Sequence, residues 1–440
     1  MNFSPVRQLT VWRTLANGQQ VRVGGLAQNR QGTFFQYDPD YLVRHSSLSP
    51  FTLQWNSSVQ LAPRAPHDGL HGVFADSLPD GWGLLLMDRV FRQQGVLPAQ
   101  LTPMDRLAFV GDTGSGALSY TPVADFAPEA DDKPIDTAQL GLHAQALFDG
   151  QTTEVLAELV TAGSSAGARP KAQLYFAPGD YSTCRSRAKG RDEAWLVKFT
   201  SGNFSLGHEE GLCEAAYLSL AERAGLSPPR WQLLPAPEES GAKAWLAVER
   251  FDRVWRSDDV PGCVHLHSAC GLLDADFRAP SLDYEDLIKA SGQLCRGAQA
   301  AKLQFKRAVF NLFAVNQDDH SKNWAFLQSD DGQWRPAPFY DVTFSPGRFG
   351  EHTTAYAGFG KQPPLNALQK LAAAAGYASW PQARQDVQSV LGALAEFSAV
   401  AKALGVNVET ARLIQQQLDQ AYHQNRDLLN GLNILPDHHC

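Results

Sequence analysis

The stretch from Asn316 to Asp341, NQDDHSKNWAFLQSDDGQWRPAPFYD, limits what this chain can fold into more than any other. Asp318 is followed five residues later by Asn323, and after a hydrophobic, hairpin-like segment Asp341 arrives behind Phe339 and Tyr340. A loop carrying Asp and Asn, to which a hairpin returns a second Asp, is the layout of a phosphoryl-transfer centre. A hydroxyl attacking a γ-phosphoryl group needs a carboxylate to orient it and take its proton, the part Asp318 fits. Magnesium ions bridging phosphates are hard cations that want oxygen ligands, and Asn323 with Asp341 would supply them without filling the coordination shell. Lys322 adds positive charge beside the transferred group. Taken alone, Asp318, Asp319 and His320 read as a polar turn after a helix. The Asn five residues on and the Phe-Tyr-Asp sequel reverse that reading.

Two upstream segments extend the pattern. The Gly-Ser-rich GSSAGARPK stops at the strand AQLYFA; small residues let backbone N–H groups approach a phosphate, and Lys171 brings charge to the same place. EAWLVKFT is an alternating strand with Lys198 set among apolar residues, and a charge so placed needs a partner. The helix that follows, HEEGLCEAAYLSLAERAGL, offers Glu214, with Glu209 and Glu210 competing for the role. KAWLAVERFDR then reads as a strand leading to a hinge, with Arg250, Asp252 and Arg253 as structural ion pairs.

The strings DDHSKN, APFYD and LAVERFDR resemble the kinase core of the HipA family, bacterial toxins that phosphorylate proteins on Ser or Thr, and the similarity runs from the first strands to about residue 430. The resemblance implies an α+β fold: a small antiparallel β-rich amino-terminal domain (1–128), then a two-lobed protein-kinase-like domain. Its nucleotide-binding lobe would span 137–254 and its largely helical catalytic lobe 255–435. It implies ATP and Mg2+ as cofactors. Ser164, Gly167, Ala168 and Lys171 match the family's SxxGAxxK phosphate loop, Lys198 would hold the α- and β-phosphates and pair with Glu214, and Glu249 and Phe251 would contact adenine. Asp318 would be the catalytic base, with Asn323 and Asp341 on the metal.

The family's self-phosphorylated serine falls on Ser164, with Ser165 next to it as the alternative. A phosphate there adds about −1.5 to −2 charge beside the nucleotide phosphates and should silence the enzyme. The implied partners are a protein substrate, a translation factor such as an aminoacyl-tRNA synthetase, and a separate helix-turn-helix antitoxin through which DNA is reached indirectly. One departure stands out: where many members carry Gln-Glu-Asp, this chain has Ser268, Ala269 and Cys270.

The rest of the chain agrees with that division. LTVWRTLANGQQVRVGGLAQNRQGTFFQYDPDYL alternates strand-like runs with Asn-Gly and Gly-Gly turns, an antiparallel meander. PDGWGLLLMDRVFRQQG predicts a short helix, while Gly111, Gly114 and Gly116 lack the Lys-Ser/Thr ending of a phosphate loop and read as a turn. VADFAPEADDKPID is a linker, and TAQLGLHAQALFDG and TEVLAELVTAG are helical. Phe305, Val309, Leu312 and Phe313 form a buried helical stripe that delivers Asp318.

At 440 residues and 44% hydrophobic content the chain can bury more than one core. A net charge of −8 argues against a surface-wide nucleic-acid footprint. The one basic run, Arg185 to Arg191, reads as a solvated hairpin tip. Six cysteines without a CxxC pair fit a reduced cytoplasm, and no run of 18 apolar residues or charged leader suggests a membrane. Cys263, His265, His267 and Cys270 lack a second ligand pair for zinc, and the terminal Asp-His-His-Cys reads as a polar tail. Two other function classes remain open: a small-molecule kinase, and a catalytically idle kinase fold serving as a regulatory scaffold.

Overall fold

Period-two burial builds the first sheet: along Gln8–Thr14, Leu9, Val11 and Arg13 are buried while their neighbours stay partly open. The strands Gln60–Leu61, Gly32–Tyr37, Gln20–Asn29, Gln8–Thr14 and Leu118–Thr121 lie side by side in that order, each pair antiparallel. The structure is a computed structural model and describes residues 3–129, 131–163, 167–257 and 260–429. The terminal Asp-His-His-Cys lies outside them.

The chain divides into two compact units. The first comprises Met1–Gly211, Arg230–Ala275 and Ala325–Ala337; the second comprises Leu212–Pro229, Asp276–Trp324 and Pro338–Cys440. Segment 1–128 and all of 137–254 except Leu212–Pro229 thus share one unit, and packing explains it. Trp82, Leu86 and Phe91, from the helix Gly81–Gln93, are buried in one core with Leu174, Trp195, Val197 and Trp245 of the next sheet. That sheet orders Trp231–Pro235, Ala244–Glu249, Glu193–Lys198 and Lys171–Phe176, all antiparallel. A third sheet joins His265–Ser268, Ala325–Gln328 and Trp334–Pro336. Buried Arg13 ties the meander to this last sheet, donating to Gln328 Oε1 at 3.1 Å and to the Ser329 carbonyl at 3.2 Å.

Local corrections to the sequence reading are small. TEVLAELVTAG is helical only over Ala157–Thr161, because the preceding residues turn back so that the Glu154 carbonyl meets His143 Nε2 at 3.0 Å. The glycine turn is held by ions: Gly116 N–H donates to buried Asp252 at 2.7 Å, and Arg253 donates to the Gly114 and Gly116 carbonyls. Burial works against the Asp252 charge, yet Arg250 and Arg253, each 2.8 Å away, hold its carboxyl well below the usual carboxylate range.

One buried imidazole gives this unit an acid sensitivity. Burial pulls His71 down to about 4, against a weaker upward pull from Asp274. The unfolded chain therefore takes up a proton that the folded chain refuses as pH drops below about 6.5, and stability falls through that window. Going from pH 7 to pH 5 should cost about 2 kcal/mol from this group. In urea unfolding at both pH values, His71→Gln is expected to lose that much less than the unaltered protein; equal losses would clear His71.

The second unit is helical: Tyr284–Leu294, Ala298–Ala314, Leu365–Ala374, Trp380–Leu394, Phe397–Ala403 and Val408–Gln424. The helix Ala298–Ala314 buries Phe305, Val309, Leu312 and Phe313 as its spacing predicts. Among the described residues no helix is long and apolar enough to cross a membrane.

Candidate active site

The buried helix Ala298–Ala314 stops on Val315, whose φ of 53° is strained for a β-branched residue. The strain is held from several sides. Tyr217 Oη donates to the Ala314 carbonyl at 2.7 Å, Ser345 N–H donates to the Val315 carbonyl at 3.1 Å, and the Asn316 amide donates to Asn311 Oδ1 at 2.8 Å. The chain then leaves the helix at an angle that opens the loop 316–324. Asp341 is a second non-glycine residue with positive φ, at 55°. Strained backbone at both ends of one constellation is a feature of functional sites.

Within the second unit, Asp318, Lys322 and Asn323 share one loop, and the segment that leads to Asp341 packs against it. The Asp318 side chain is 61% exposed, with His320 Nε2 4.0 Å from its carboxylate. Asn323 donates its amide N–H to the Asp318 carbonyl at 2.7 Å, which leaves Oδ1 turned the other way as an acceptor. Two contacts bracket Asn323 and dock the two residues that precede Asp341: Tyr340 Oη donates to the Lys322 carbonyl at 2.6 Å, and Phe339 stacks on Trp324 with ring centroids 5.8 Å apart. Phe310, from the buried helix, meets Phe339 edge-on, so the apolar stripe supports the Phe-Tyr-Asp segment directly. The Lys322 ammonium lies 4.1 Å from the Phe277 ring centroid.

The residue that fixes this loop escaped the sequence reading. Asp319 is fully buried and accepts four hydrogen bonds: from Tyr284 Oη at 2.6 Å, His352 Nδ1 at 2.9 Å, Thr353 N at 2.8 Å and Thr354 N at 3.1 Å. Its carbonyl also accepts from Thr354 Oγ1 and, at 3.1 Å, from Trp324 Nε1. A buried carboxylate survives only with such satisfaction. The peptide that carries Asp318 is thereby bolted at its next residue. The only sequence hint is the adjacency of the two aspartates.

The first unit holds the other set. Lys171 and Lys198 stand directly opposite each other on neighbouring antiparallel strands, hence on one face of the sheet; Lys171 is buried and Lys198 half-buried. Like charges so opposed repel, and an anion placed between them would convert the repulsion into binding. Lys171 Nζ is folded against Gly167, at 2.2 Å from where a Cβ on that glycine would stand, and Gly167 has φ 103°, so a side chain there would be strained and would displace the lysine tip. Ala168 follows it, and neighbouring Arg169 is ion-paired with Glu210. Ser164 lies outside the described residues.

At the hinge, Glu249 gives its carboxylate to Arg230, at 3.0 and 3.1 Å, and its N–H to the Arg230 carbonyl at 2.8 Å. Phe251 occupies the turn that follows. Glu214, which the sequence reading paired with Lys198, is a buried residue of the second unit on the helix Glu210–Arg223.

The histidines and the departing triplet have structural work. His267 meets Asp76 through Nδ1 at 2.6 Å and Ser49 Oγ through Nε2 at 2.8 Å; His265 Nε2 meets the Leu48 carbonyl at 2.9 Å. Ser268 donates to Asp76 at 2.6 Å and caps the short helix Ala269–Leu272. Among the described residues no group of three or more His, Cys, Asp or Glu is arranged to hold a metal ion. The oxygen pair Asn323 and Asp341 suits a hard cation whose remaining ligands are phosphates and water.

Comparison with known proteins places the chain in a family. The family model described as HipA N-terminal domain matches residues 16–121, and that described as HipA-like C-terminal domain matches residues 163–424. The serine/threonine-protein kinase toxin HipA of Shewanella oneidensis is 24% identical over 324 residues, covering 66% of this chain and 68% of that protein. The putative kinase Y4mE of Sinorhizobium fredii is 28% identical over 269 residues, covering 56% of this chain and 58% of that one. A solved HipA structure from Shewanella oneidensis, in complex with HipB and operator DNA, aligns with a TM-score of 0.68 at 18% identity over 95% of this chain and 97% of that one, a likeness of fold. Since the carboxy-terminal match alone spans over half of its length, the chain belongs to the HipA-like family of serine/threonine kinase toxins.

Proposed function

We propose that this protein is an ATP- and magnesium-dependent kinase that phosphorylates a protein on Ser or Thr, as the toxin half of a toxin–antitoxin pair. One observation carries the reading: an exposed Asp318 carboxylate beside Asn323, on a loop whose next residue is a buried carboxylate with four donors. That combination presents a base to solvent on a rigid mount. Asp318 orients the acceptor hydroxyl and takes its proton as the new oxygen–phosphorus bond forms and the bond to ADP breaks. Asn323 Oδ1 and Asp341 would hold the magnesium, which would neutralise charge on the phosphate oxygens.

Lys171 and Lys198, with the backbone at Ala168, hold the triphosphate, Gly167 shapes the loop with its own N–H given to Asp80, and Lys322 adds charge near the transferred group. Phe251 packs on the adenine face. The Glu249 carbonyl meets the adenine edge, since its carboxylate and N–H are spent on Arg230. Lys198→Met is expected to weaken ATP binding about ten- to hundredfold in a calorimetric titration, the cost of one charge-assisted contact. An unchanged affinity would remove Lys198 from the site.

The relatives' names support a toxin with an antitoxin partner, and the remainder of the setting follows from the motif resemblance. Phosphorylation of Ser164 by the enzyme itself silences it, and the target is a translation protein such as an aminoacyl-tRNA synthetase, so that translation slows. The partner is a separate helix-turn-helix antitoxin in the cytoplasm, and DNA is reached only through it. The deciding experiment supplies labelled ATP and magnesium with either a protein extract or a metabolite panel. Label in protein supports the reading; label only in metabolites makes this a small-molecule kinase, and none in either leaves a scaffold.

A further inference from the structure

The helix Gly81–Gln93 begins at Asp80, a residue type that normally caps its own helix, yet the Asp80 side chain makes no capping bond there. It reaches instead to the far side of the linker, where it accepts the Gly167 N–H. The next residues continue the grip. Trp82 N–H donates to the Gly167 carbonyl at 2.9 Å, and the Trp82 indole Nε1–H donates to the Lys171 carbonyl at 2.9 Å. Gly81, at φ 46°, lets the two backbones touch: a Cβ on it would stand 2.6 Å from the Gly167 oxygen and 2.7 Å from the Ala168 Cα.

From this geometry we infer that Asp80 and Trp82 are positioning residues for the phosphate-binding loop, so that the nucleotide site is completed by the amino-terminal domain. The inference rests on the reading of Gly167 to Lys171 as that loop. A loop rich in glycine and serine has many conformations, and binding a phosphate through its N–H groups requires fixing one of them. Asp80 and Trp82 fix the two peptide groups that flank Gly167, the N–H of the one before it by the carboxylate and the C=O of the one after it by the Trp82 N–H. The indole sets the Lys171 peptide, hence the root of the lysine side chain. Trp82 is 1% exposed and Lys171 5%, so water does not compete for the indole bond, while the Asp80 bond to Gly167 is part-buried. The donors and acceptors come from residues within the match at 16–121, and their targets from the match beginning at 163. Neither segment alone holds the loop.

The test uses the full chain and two probes, magnesium-ATP and adenosine, the second lacking every phosphate. Asp80→Ala and Trp82→Phe should each weaken ATP binding about tenfold, the loss of one buried hydrogen bond, and change adenosine binding less than twofold. Asp80→Asn, which keeps an oxygen acceptor for Gly167, should restore most of the ATP affinity. Unchanged or tighter ATP binding in both variants overturns the inference, as does equal weakening of ATP and adenosine, the mark of a general packing defect. If the unaltered protein binds adenosine but gains nothing from the triphosphate, the phosphate-loop reading falls and takes this inference with it.

Discussion

Asp318→Ala should lower magnesium-dependent phosphate transfer from ATP by about 10²- to 10⁴-fold, the range that one general base contributes, with ATP affinity near that of the unaltered protein. The separation of the two effects is the point of the experiment. The Asp318 side chain is 61% exposed, so its truncation opens no cavity in the core. Surface truncations of this sort change stability by about 0.5 kcal/mol or less. A loss of turnover with intact folding and intact nucleotide binding therefore isolates the proton transfer. Label incorporated at the same rate by both proteins would strip Asp318 of its role. A loss of ATP binding in parallel would make it a binding group.

How much of this site can be read from the chain depends on whether chemistry or packing sets the residue. Asp318, Asn323 and Asp341 stand out in the sequence because phosphoryl transfer, the proposed reaction, would demand a base and hard oxygen ligands in a fixed order. Lys198 is legible because a cation in an apolar strand calls for a partner. Periodicity gives the first sheet and the stripe on Ala298–Ala314, where Leu9, Val11, Phe305 and Val309 fall on buried positions. Packing partners far along the chain leave no such trace. The carboxylate of Asp80 finds Gly167 across 87 residues, and Asp319 finds Tyr284 across 35.

The packing units also escape a linear reading. The strand Ala325–Gln328 pairs with His265–Ser268, so the chain returns to the first unit immediately after the loop that carries Asp318. Glu249 shows the same limit in reverse. Its place at the end of a hinge strand is plain from the sequence, but Arg230, which occupies its carboxylate, comes from a strand edge no spacing rule would select.

Asp319→Asn carries the other large expected effect, and it separates holding the base from being the base. Replacement by Ala would leave the hydroxyl of Tyr284, the imidazole of His352 and two backbone N–H groups without their acceptor, each orphan costing about 1–3 kcal/mol. Such a variant would lose the unit rather than report on the reaction. The amide keeps one oxygen for the Thr353 and Thr354 N–H groups and turns its NH2 toward Tyr284 and His352, both of which can accept instead of donate. The fold should survive with a loss of about 2 kcal/mol, seen as a lower urea midpoint. Turnover should fall further than stability suggests, because a carboxylate displaced by about 1 Å can forfeit about 10²-fold in rate. The expected signature is kcat down by about ten- to hundredfold, with KM for ATP held within about twofold, since no nucleotide-binding lysine is touched. A variant that loses 2 kcal/mol of stability yet keeps full kcat would show that Asp319 supports the fold without aiming Asp318. A rise in KM equal to the fall in kcat would place the damage in nucleotide binding.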